Sequence, residues 1–298
     1  MKFRKIPVSI KDQITLLKSR GLVFHDEALA QAFLSTVSYY RLRAYTYPFQ
    51  DNTNPDHPFI RPVSFEEIID LYEFDDKLRL LVFNALGQIE IAMRTQIIYH
   101  FALGYGSHWH LRPELYRNPM WFANHLDSLQ KEIDRSNEAF IEHYKNTYKD
   151  PTEPPCWMSL EVSSFGLLSK IFQNLKKCDK KVAITRFFGL SDISILENWM
   201  LCFSNLRNIC AHHGRVWNRR LVAKLKIPHH PVYPFLINNQ VYSNKLYAIL
   251  CSLSYLLKIM QPNNDFKDQV IGLMGTCPLV HEKEMGFPAD WKEEPLWK

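Results

Sequence analysis

Apolar residues recur every three or four positions along most of the chain, which is the spacing of an amphipathic α-helix. The prolines agree with this pattern, because they collect in connectors and leave the long stretches between them free to be helical. The predicted helices cover 9–21, a segment from about 26, 64–103, 119–148, 157–176, 180–188, 192–212 and 243–260. The chain is therefore expected to be all-α, with its helices packed as a bundle.

Local signals place the ends of some of these helices. Ser64 and Glu67 form an S-x-x-E capping box at the start of the longest segment, which only Gly87 interrupts. A helix of that length is roughly 60 Å long, so a kink or a break near Gly87 is expected. Ser191 offers an N-cap for the helix at 192–212, and Gly214 stands where a helix-terminating glycine is expected.

The sequence also predicts how the chain is organised. Residues 1–62 form an N-terminal helical extension, 63–262 a helical bundle, and 263–298 a C-terminal segment packed on that bundle. The stretch 218–240 is the one that favours extended backbone. The tail at 286–297 is irregular and is expected to dock through its Trp and Phe side chains.

Composition and charge narrow the class of protein without naming a partner. The formal charge of +5 is compatible with RNA binding, but many proteins that bind no polyanion carry the same charge. The six cysteines include no C-x-x-C pair, and several fall in apolar segments, which is typical of reduced thiols. The first 13 residues lack the apolar core of a signal peptide, and no run of 18 apolar residues exists. A cytoplasmic protein that does not span a membrane is expected.

The candidate chemistry lies in the string LRNICAHHGRVWNRR at 206–220, where an apolar helix face gives way to polar and cationic residues. These residues are Arg207, Asn208, His212, His213, Arg215, Asn218, Arg219 and Arg220. Cleavage of RNA by its own 2′-hydroxyl requires proton transfer and positive charge on the developing phosphorane. Histidine is suited to the proton transfer because its ordinary pKa of about 6.5 lies near neutral pH. Arginine is suited to the charge because its fork binds phosphate oxygens.

The spacing of Arg207 and His212 sets a geometric condition. Five residues on a regular helix, at ~100° each, separate two side chains by roughly 140°. Either the helix distorts before Gly214, or the site is assembled from two copies of the cluster across a symmetric dimer.

Several blocks of the sequence together resemble one protein family. The R-x4-H pattern from Arg207 to His212 is weak alone, but the extended string CAHHGRVWNR is far more specific. Further blocks that carry the resemblance are SYYRLRAYTYPF, IEIAMRTQI, WMSLEVSSFGLLSKIF and GFPADWKEEPLW, in the expected order. The chain resembles the bacterial Abi-like proteins of the AbiD and AbiF type, within the HEPN ribonuclease superfamily.

The resemblance implies a HEPN-type bundle and a metal-independent endoribonuclease of the phage-defence or toxin type, without a cofactor. Arg207 would then stabilise the phosphorane, His212 would move protons, and Asn208 would orient the scissile phosphate. The implied partners are an RNA substrate, a second copy of the chain and a structured small RNA that acts as an antitoxin. The main alternative is a non-catalytic module that holds such an RNA or a partner protein, and a third is a cluster that only forms a dimer interface.

Other charged residues have two interpretations each. Glu90 and Arg94 stand at i, i+4 in an apolar helix, so they either orient Arg207 or His212, or form a salt bridge of their own at the bundle surface. Arg41 and Arg43 lie among tyrosines at 38–49, a pattern found on RNA-binding surfaces and also in packed helices. We expect most of these tyrosines to pack, and keep the two arginines as RNA-contact candidates.

The histidines have alternatives of the same kind. His212 and His213 either serve the chemistry or stabilise a helix C-terminus by binding its last carbonyls. His108 and His110 have an H-x-H spacing, but no nearby side chains complete a metal site, so no metal is expected there.

Overall fold

A computed structural model describes residues 6–238 and 241–298. This part of the chain contains twelve α-helices and five short 3-10 helices, with no strand. The all-α prediction is confirmed. No helix among the described residues has the length and apolar character needed to cross a membrane.

The chain divides into two compact units, each with its own buried residues. The first consists of Met1–Arg79 and Ile271–His281, and the second of Leu80–Val270 and Glu282–Lys298. The domain boundaries expected at residues 62 and 262 stay a prediction. The prediction that the first 13 residues lack a signal peptide falls partly on residues 1–5, which lie outside the described residues.

The first unit is built from short capped helices. They are α1 (Ile10–Ser19), α2 (Glu27–Thr36) and α3 (Tyr39–Thr46), followed by the N-terminal part of α4 (Phe65–Tyr105). The predicted capping box at the start of α4 is confirmed, because Ser64 N–H donates to Glu67 Oε2 at 2.7 Å and Glu67 N–H donates to Ser64 Oγ at 3.1 Å. Helix α4 continues through Gly87, so the predicted break does not occur.

The second unit contains the rest of α4 and most of the remaining helices. These are α5 (Pro119–Asp134), α6 (Ala139–Thr147), α7 (Cys156–Ser159), α8 (Phe165–Asn174), α9 (Asp179–Phe187), α10 (Ile193–Ala211), α11 (Leu246–Met260) and α12 (Phe266–Met274), the last of which runs on into the first unit. Helix α8 packs between α5 and α10, and α9 also packs on α10. All residues of α11 from Leu246 to Leu257 are buried, so this helix is the centre of the unit.

Two predicted helices are each broken in two. The segment 119–148 divides into α5 and α6, because the chain turns at 135–138. The segment 157–176 divides into α7 and α8, where Ser164 caps the new helix by accepting from Leu167 N–H. Apolar periodicity continues across both breaks, so it did not reveal them. Helix α12, which lies within the predicted C-terminal segment, was not among the predicted helices.

The region after α10 is irregular, although its backbone was expected to be extended. No strand occurs at 218–238, and residues 239 and 240 of that stretch lie outside the described part. The tail docks as expected, because Phe287, Trp291 and Trp297 are buried. The Phe287 ring lies 4.7 Å from the ring of Tyr247 on α11.

Candidate functional site

Helix α10 carries the central part of the site, and its start is set by Asp192. The Asp192 carboxylate accepts from Ser194 N–H at 2.8 Å, whereas the hydroxyl of Ser191, the predicted cap, donates to the His230 carbonyl. The expected core face of the helix is confirmed. Its buried residues include Ile195, Leu196, Trp199, Met200 and Phe203.

The end of α10 forms a Schellman motif. His213 N–H donates to the Cys210 carbonyl at 3.0 Å, and Gly214 N–H donates to the Ile209 carbonyl at 2.7 Å. His213, with φ of 53°, takes the left-handed position that glycine usually fills. Gly214 follows it, and a Cβ there would lie 2.9 Å from Ile209 Cγ2. The sequence placed the glycine near the helix end, but its role is close packing.

Arg207 on α10 faces α4 and joins the two charged residues of that helix. Its Nε lies 3.5 Å from Glu90 Oε2, and the other carboxylate oxygen, Glu90 Oε1, accepts from Arg94 Nη2 at 2.9 Å. Arg94 Nη2 also donates to the Ser163 carbonyl at 2.8 Å. Glu90 and Arg94 are both buried. Their pair is therefore not a salt bridge at the bundle surface, which was one of the two interpretations of the sequence. Glu90 thus contacts both Arg94 and Arg207, and its role in orienting Arg207 stays a prediction.

The charge of this cluster is unbalanced. One carboxylate stands between two guanidiniums, which leaves one positive charge without a counter-charge among Glu90, Arg94 and Arg207. Arg94 is buried, whereas about a third of the Arg207 side chain is exposed. The excess charge therefore reaches solvent at Arg207, where a phosphate group can bind.

Asn208 and His212 lie beside this charge and are both exposed. Asn208 Oδ1 accepts from Arg207 Nη1 at 3.3 Å. Among the described residues, the His212 imidazole has no hydrogen-bond partner, although its backbone N–H donates to the Asn208 carbonyl at 3.0 Å. The imidazole is therefore open to solvent and to a substrate.

The helix does not distort between Arg207 and His212. Residue 211 is the last helical one, and the N–H of His212 keeps the i to i−4 hydrogen bond of a regular turn. The angular separation of roughly 140° is thus retained in the backbone. Of the two arrangements that the spacing allowed, the distorted helix is absent, and the two-copy arrangement stays a prediction.

The residues after Gly214 belong to a loop that is anchored on the second unit. Trp217 is fully buried, and the Arg215 guanidinium lies 5.6 Å from the centre of its ring. Asn218 Nδ2 donates to Glu284 Oε2 at 3.1 Å, and Arg219 Nη1 donates to the Arg215 carbonyl at 3.2 Å. Arg220 is exposed. The loop therefore holds its cations in fixed positions next to the end of α10.

Arg41 and Arg43 lie on α3 in the first unit. Arg41 Nε donates to the Tyr72 hydroxyl at 3.1 Å, and Arg43 Nη2 lies 3.2 Å from His57 Nε2. Among the tyrosines of the block, Tyr45 is buried, whereas Tyr40 is almost fully exposed. Both arginines have structural partners, and their role as RNA contacts stays a prediction.

His108 and His110 lie at a 3-10 helix, Trp109–Leu111. The two ring nitrogens of His108 contact Ser107 Oγ and the Glu153 carbonyl, each at 2.9 Å. Burial lowers the pKa of His110 to about 4. In the described part of the chain, no group of three or more His, Cys, Asp or Glu side chains is arranged to hold a metal ion.

Two partners of the site were missed by the sequence analysis. The Ser163 carbonyl binds Arg94, but any residue carries a backbone carbonyl, so no sequence signal marks it. Glu284 holds Asn218 across 66 positions of the chain. The packing of the tail alone brings that carboxylate to the loop.

Comparison with known proteins identifies the family of the chain. A family model described as Abi-like protein matches residues 32–218, which is more than half of the chain and includes Glu90, Arg207 and His212. No curated protein and no solved structure matches the chain. Abi-like proteins are associated with abortive infection, so the match indicates a role in defence against phage. The chain belongs to the Abi-like protein family.

Proposed function

We propose that this protein is an endoribonuclease of the HEPN type, which cleaves RNA at a site formed by Arg207, Asn208 and His212 and needs no metal. The 2′-oxygen attacks the adjacent phosphorus, the bond from phosphorus to the 5′-oxygen breaks, and a 2′,3′-cyclic phosphate forms. A base takes the proton of the 2′-hydroxyl, and an acid gives a proton to the leaving 5′-oxygen. DNA is spared because it lacks the 2′-hydroxyl.

The observation that carries the proposal is the contact between Arg207 and the buried pair of Glu90 and Arg94. Glu90 binds the Arg207 guanidinium at Nε, and about a third of the side chain stays exposed, as a phosphate-binding arginine requires. The phosphorane gains negative charge as it forms, so a fixed guanidinium stabilises it more than it stabilises the substrate. The exposed His212 imidazole has ring nitrogens that can give and accept a proton.

The acid and the base come from two copies of the chain in this proposal. His212 offers one imidazole per copy, and its backbone position diverges from that of Arg207. An exposed apolar stripe on α4, formed by Leu80, Phe83 and Ile91, lies on one face of the helix. Ile91 follows Glu90 directly, so a second copy packed on the stripe lies next to the Arg207 cluster. This arrangement gives a symmetric homodimer with two histidines at one cleft.

The remaining polar and cationic residues extend the same surface towards the RNA. His213, Arg215, Asn218 and Arg219 follow the end of α10, and we assign them to the strands that flank the cleaved bond. A structured small RNA bound there acts as an antitoxin by covering His212. The alternative function is a module that binds an RNA at the same surface and does not cleave it.

The test is incubation of purified wild type and His212→Ala with total RNA in EDTA, followed by sequencing of the cleaved ends. Cleavage by wild type alone, with cyclic phosphates at the upstream ends, supports the proposal. His212→Ala is expected to lower the rate at least 100-fold while RNA affinity is retained. Binding by both proteins without cleavage by either, after removal of copurified RNA, contradicts the nuclease and favours the RNA-holding module. Equal cleavage of a matched DNA strand contradicts the 2′-hydroxyl mechanism.

A further inference from the structure

A polar cavity lies between α5 and α8 in the second unit, outside the Arg207 cluster. Its volume is about 530 Å³, within the range of roughly 300–1,000 Å³ that is usual for small-molecule sites. Trp121, Asn124 and His125 of α5 line one side, and Gly166, Lys170 and Gln173 of α8 line the other. The cavity thus has an aromatic wall, one cation, several neutral hydrogen-bonding groups and, at Glu132, one carboxylate.

These groups have the chemistry that recognises a nucleotide. The Trp121 ring is 51% exposed, so a face is available for stacking with a base. Lys170 carries a positive charge that is suited to a phosphate, and it forms no ion pair within the described residues. The amides of Asn124 and Gln173 donate and accept, as the edge of a base requires.

His125 adds a polar atom that the protein itself leaves unused. Its Nδ1 is buried and has no hydrogen-bond partner in the part of the chain that the structure describes. Burial, with a smaller contribution from Lys170, lowers the pKa of this imidazole. The ring is therefore mainly neutral near pH 7 and offers one donor and one acceptor.

A single peptide group connects this cavity with the Arg207 cluster. The carbonyl of the Ser163–Ser164 peptide accepts from Arg94 at 2.8 Å, and its N–H donates to Glu132 Oε2 at 2.8 Å. Glu132 and Ser164 both line the cavity. Because the oxygen and the N–H of a trans peptide point in opposite directions, the cluster and the cavity lie on opposite sides of this group. The cluster and the cavity are thus bound to the same peptide group and lie close to each other.

We infer that the cavity between α5 and α8 binds a nucleotide of the RNA that flanks the cleaved bond, with its base on Trp121 and its phosphate at Lys170. The role of this nucleotide beside the cut rests on the proposed ribonuclease function. The binding of a nucleotide in the cavity does not. Recognition of that base gives the enzyme a sequence preference beside the cut.

Gly166 provides a variant that fills the cavity without disturbing the core. A Cβ added at this position meets no atom within 4 Å, and the residue lies in the first turn of α8. Gly166→Phe therefore places a ring in open space. Trp121→Ala removes the stacking face, and Trp157→Ala is the matched control, because Trp157 is 48% exposed and does not line the cavity.

The first experiment measures binding of the four ribonucleoside 5′-monophosphates by saturation-transfer NMR. At least one is expected to bind wild type and Trp157→Ala with equal Kd. Trp121→Ala and Gly166→Phe are expected to weaken it roughly tenfold or more. No binding to wild type, or equal binding to Gly166→Phe and wild type, overturns the inference.

The second experiment sequences the ends that the same proteins leave on total RNA. Gly166→Phe and Trp121→Ala are expected to lose the base preference beside the cut, whereas Trp157→Ala keeps it. An unchanged preference in all variants overturns the role of the cavity in cleavage. Nucleotide binding that Gly166→Phe abolishes, in a protein that cuts no RNA, supports the cavity and overturns the nuclease proposal instead.

Discussion

Glu90→Gln tests whether the charged cluster is held together by one buried carboxylate. The substitution keeps the shape of the side chain and removes the charge that faces Arg94 and Arg207. At 2.9 Å, with an effective dielectric constant of about 20, the attraction between Glu90 and Arg94 is about 6 kcal/mol before desolvation is subtracted. Removing one partner of a buried pair typically costs about 3–5 kcal/mol.

The lower end of that range applies to Glu90→Gln. Arg94 keeps the Ser163 carbonyl as an acceptor, so its guanidinium is not left bare. The contact with Arg207 adds less than about 1 kcal/mol, because that side chain is about a third exposed and solvent screens it. We therefore expect the free energy of unfolding to fall by about 3 kcal/mol.

Urea denaturation at pH 7 measures this loss. The matched control is Glu114→Gln, since Glu114 forms an ion pair with Arg112 at 2.7 Å that is exposed on both sides. The control is expected to change the free energy of unfolding by less than about 1 kcal/mol. A Glu90→Gln protein as stable as the Glu114→Gln protein would refute the reasoning.

The same variant has an expected effect on activity. Without Glu90, the Arg207 guanidinium loses its fixed orientation, so cleavage is expected to slow roughly 10- to 100-fold under conditions where the protein is folded. The double variant Glu90→Gln/Arg94→Gln removes both buried charges, and we expect it to regain much of the stability without regaining the rate. If the cleavage rate rises and falls with stability among Glu90→Gln, Glu90→Gln/Arg94→Gln and the control Glu114→Gln, an orienting role for Glu90 is contradicted.

Two further predictions concern stability. The pKa of His110 is about 4 in the folded state and near 6.5 when unfolded, so its contribution to stability is full above pH 6.5 and is lost as pH falls towards 4. The free energy of unfolding from urea denaturation should therefore be about 2 kcal/mol lower at pH 5 than at pH 7, and an equal difference in His110→Leu would contradict this assignment. Gly214→Ala places a Cβ 2.9 Å from Ile209 Cγ2 and should lower stability by about 1–3 kcal/mol in thermal unfolding. Gly87 lies in the middle of a helix, and a Cβ added there meets no atom within 4 Å, so Gly87→Ala should raise stability by about 0.5–1 kcal/mol. An equal loss of stability in Gly87→Ala and Gly214→Ala would count against the packing argument.

Most of the helices could be read from the sequence because each signal is local. Apolar spacing and the Ser64–Glu67 capping box depend on residues within a turn or two of one another, so they survive without tertiary information. The breaks at 135–138 and 160–164 were missed for the same reason. Apolar spacing continues across them, and the turns are held by contacts to distant residues, such as Glu132 at Ser164 N–H.

The site was predictable in composition and not in arrangement. The string at 206–220 marks Arg207 and His212 by residue type, and the spacing of Glu90 and Arg94 on one helix marks a charged pair. The sequence left open whether that pair lies at the surface. The burial of the pair and its contact with Arg207 depend on how α4 packs beside α10, more than 100 positions away in the chain.

The sequence by itself thus determined the helical class, the polar end of α10 and the family, because these follow from residue identity and short-range spacing. Only the tertiary structure decided that Glu90 binds Arg207, that His213 takes the left-handed position, and that an open cavity lies between α5 and α8. Each of these depends on which surfaces meet when apolar faces are buried. The hydrophobic effect depends on the apolar area that is buried and has no preferred direction. The polar contacts at the edges of the buried faces are therefore set by the final packing of the helices.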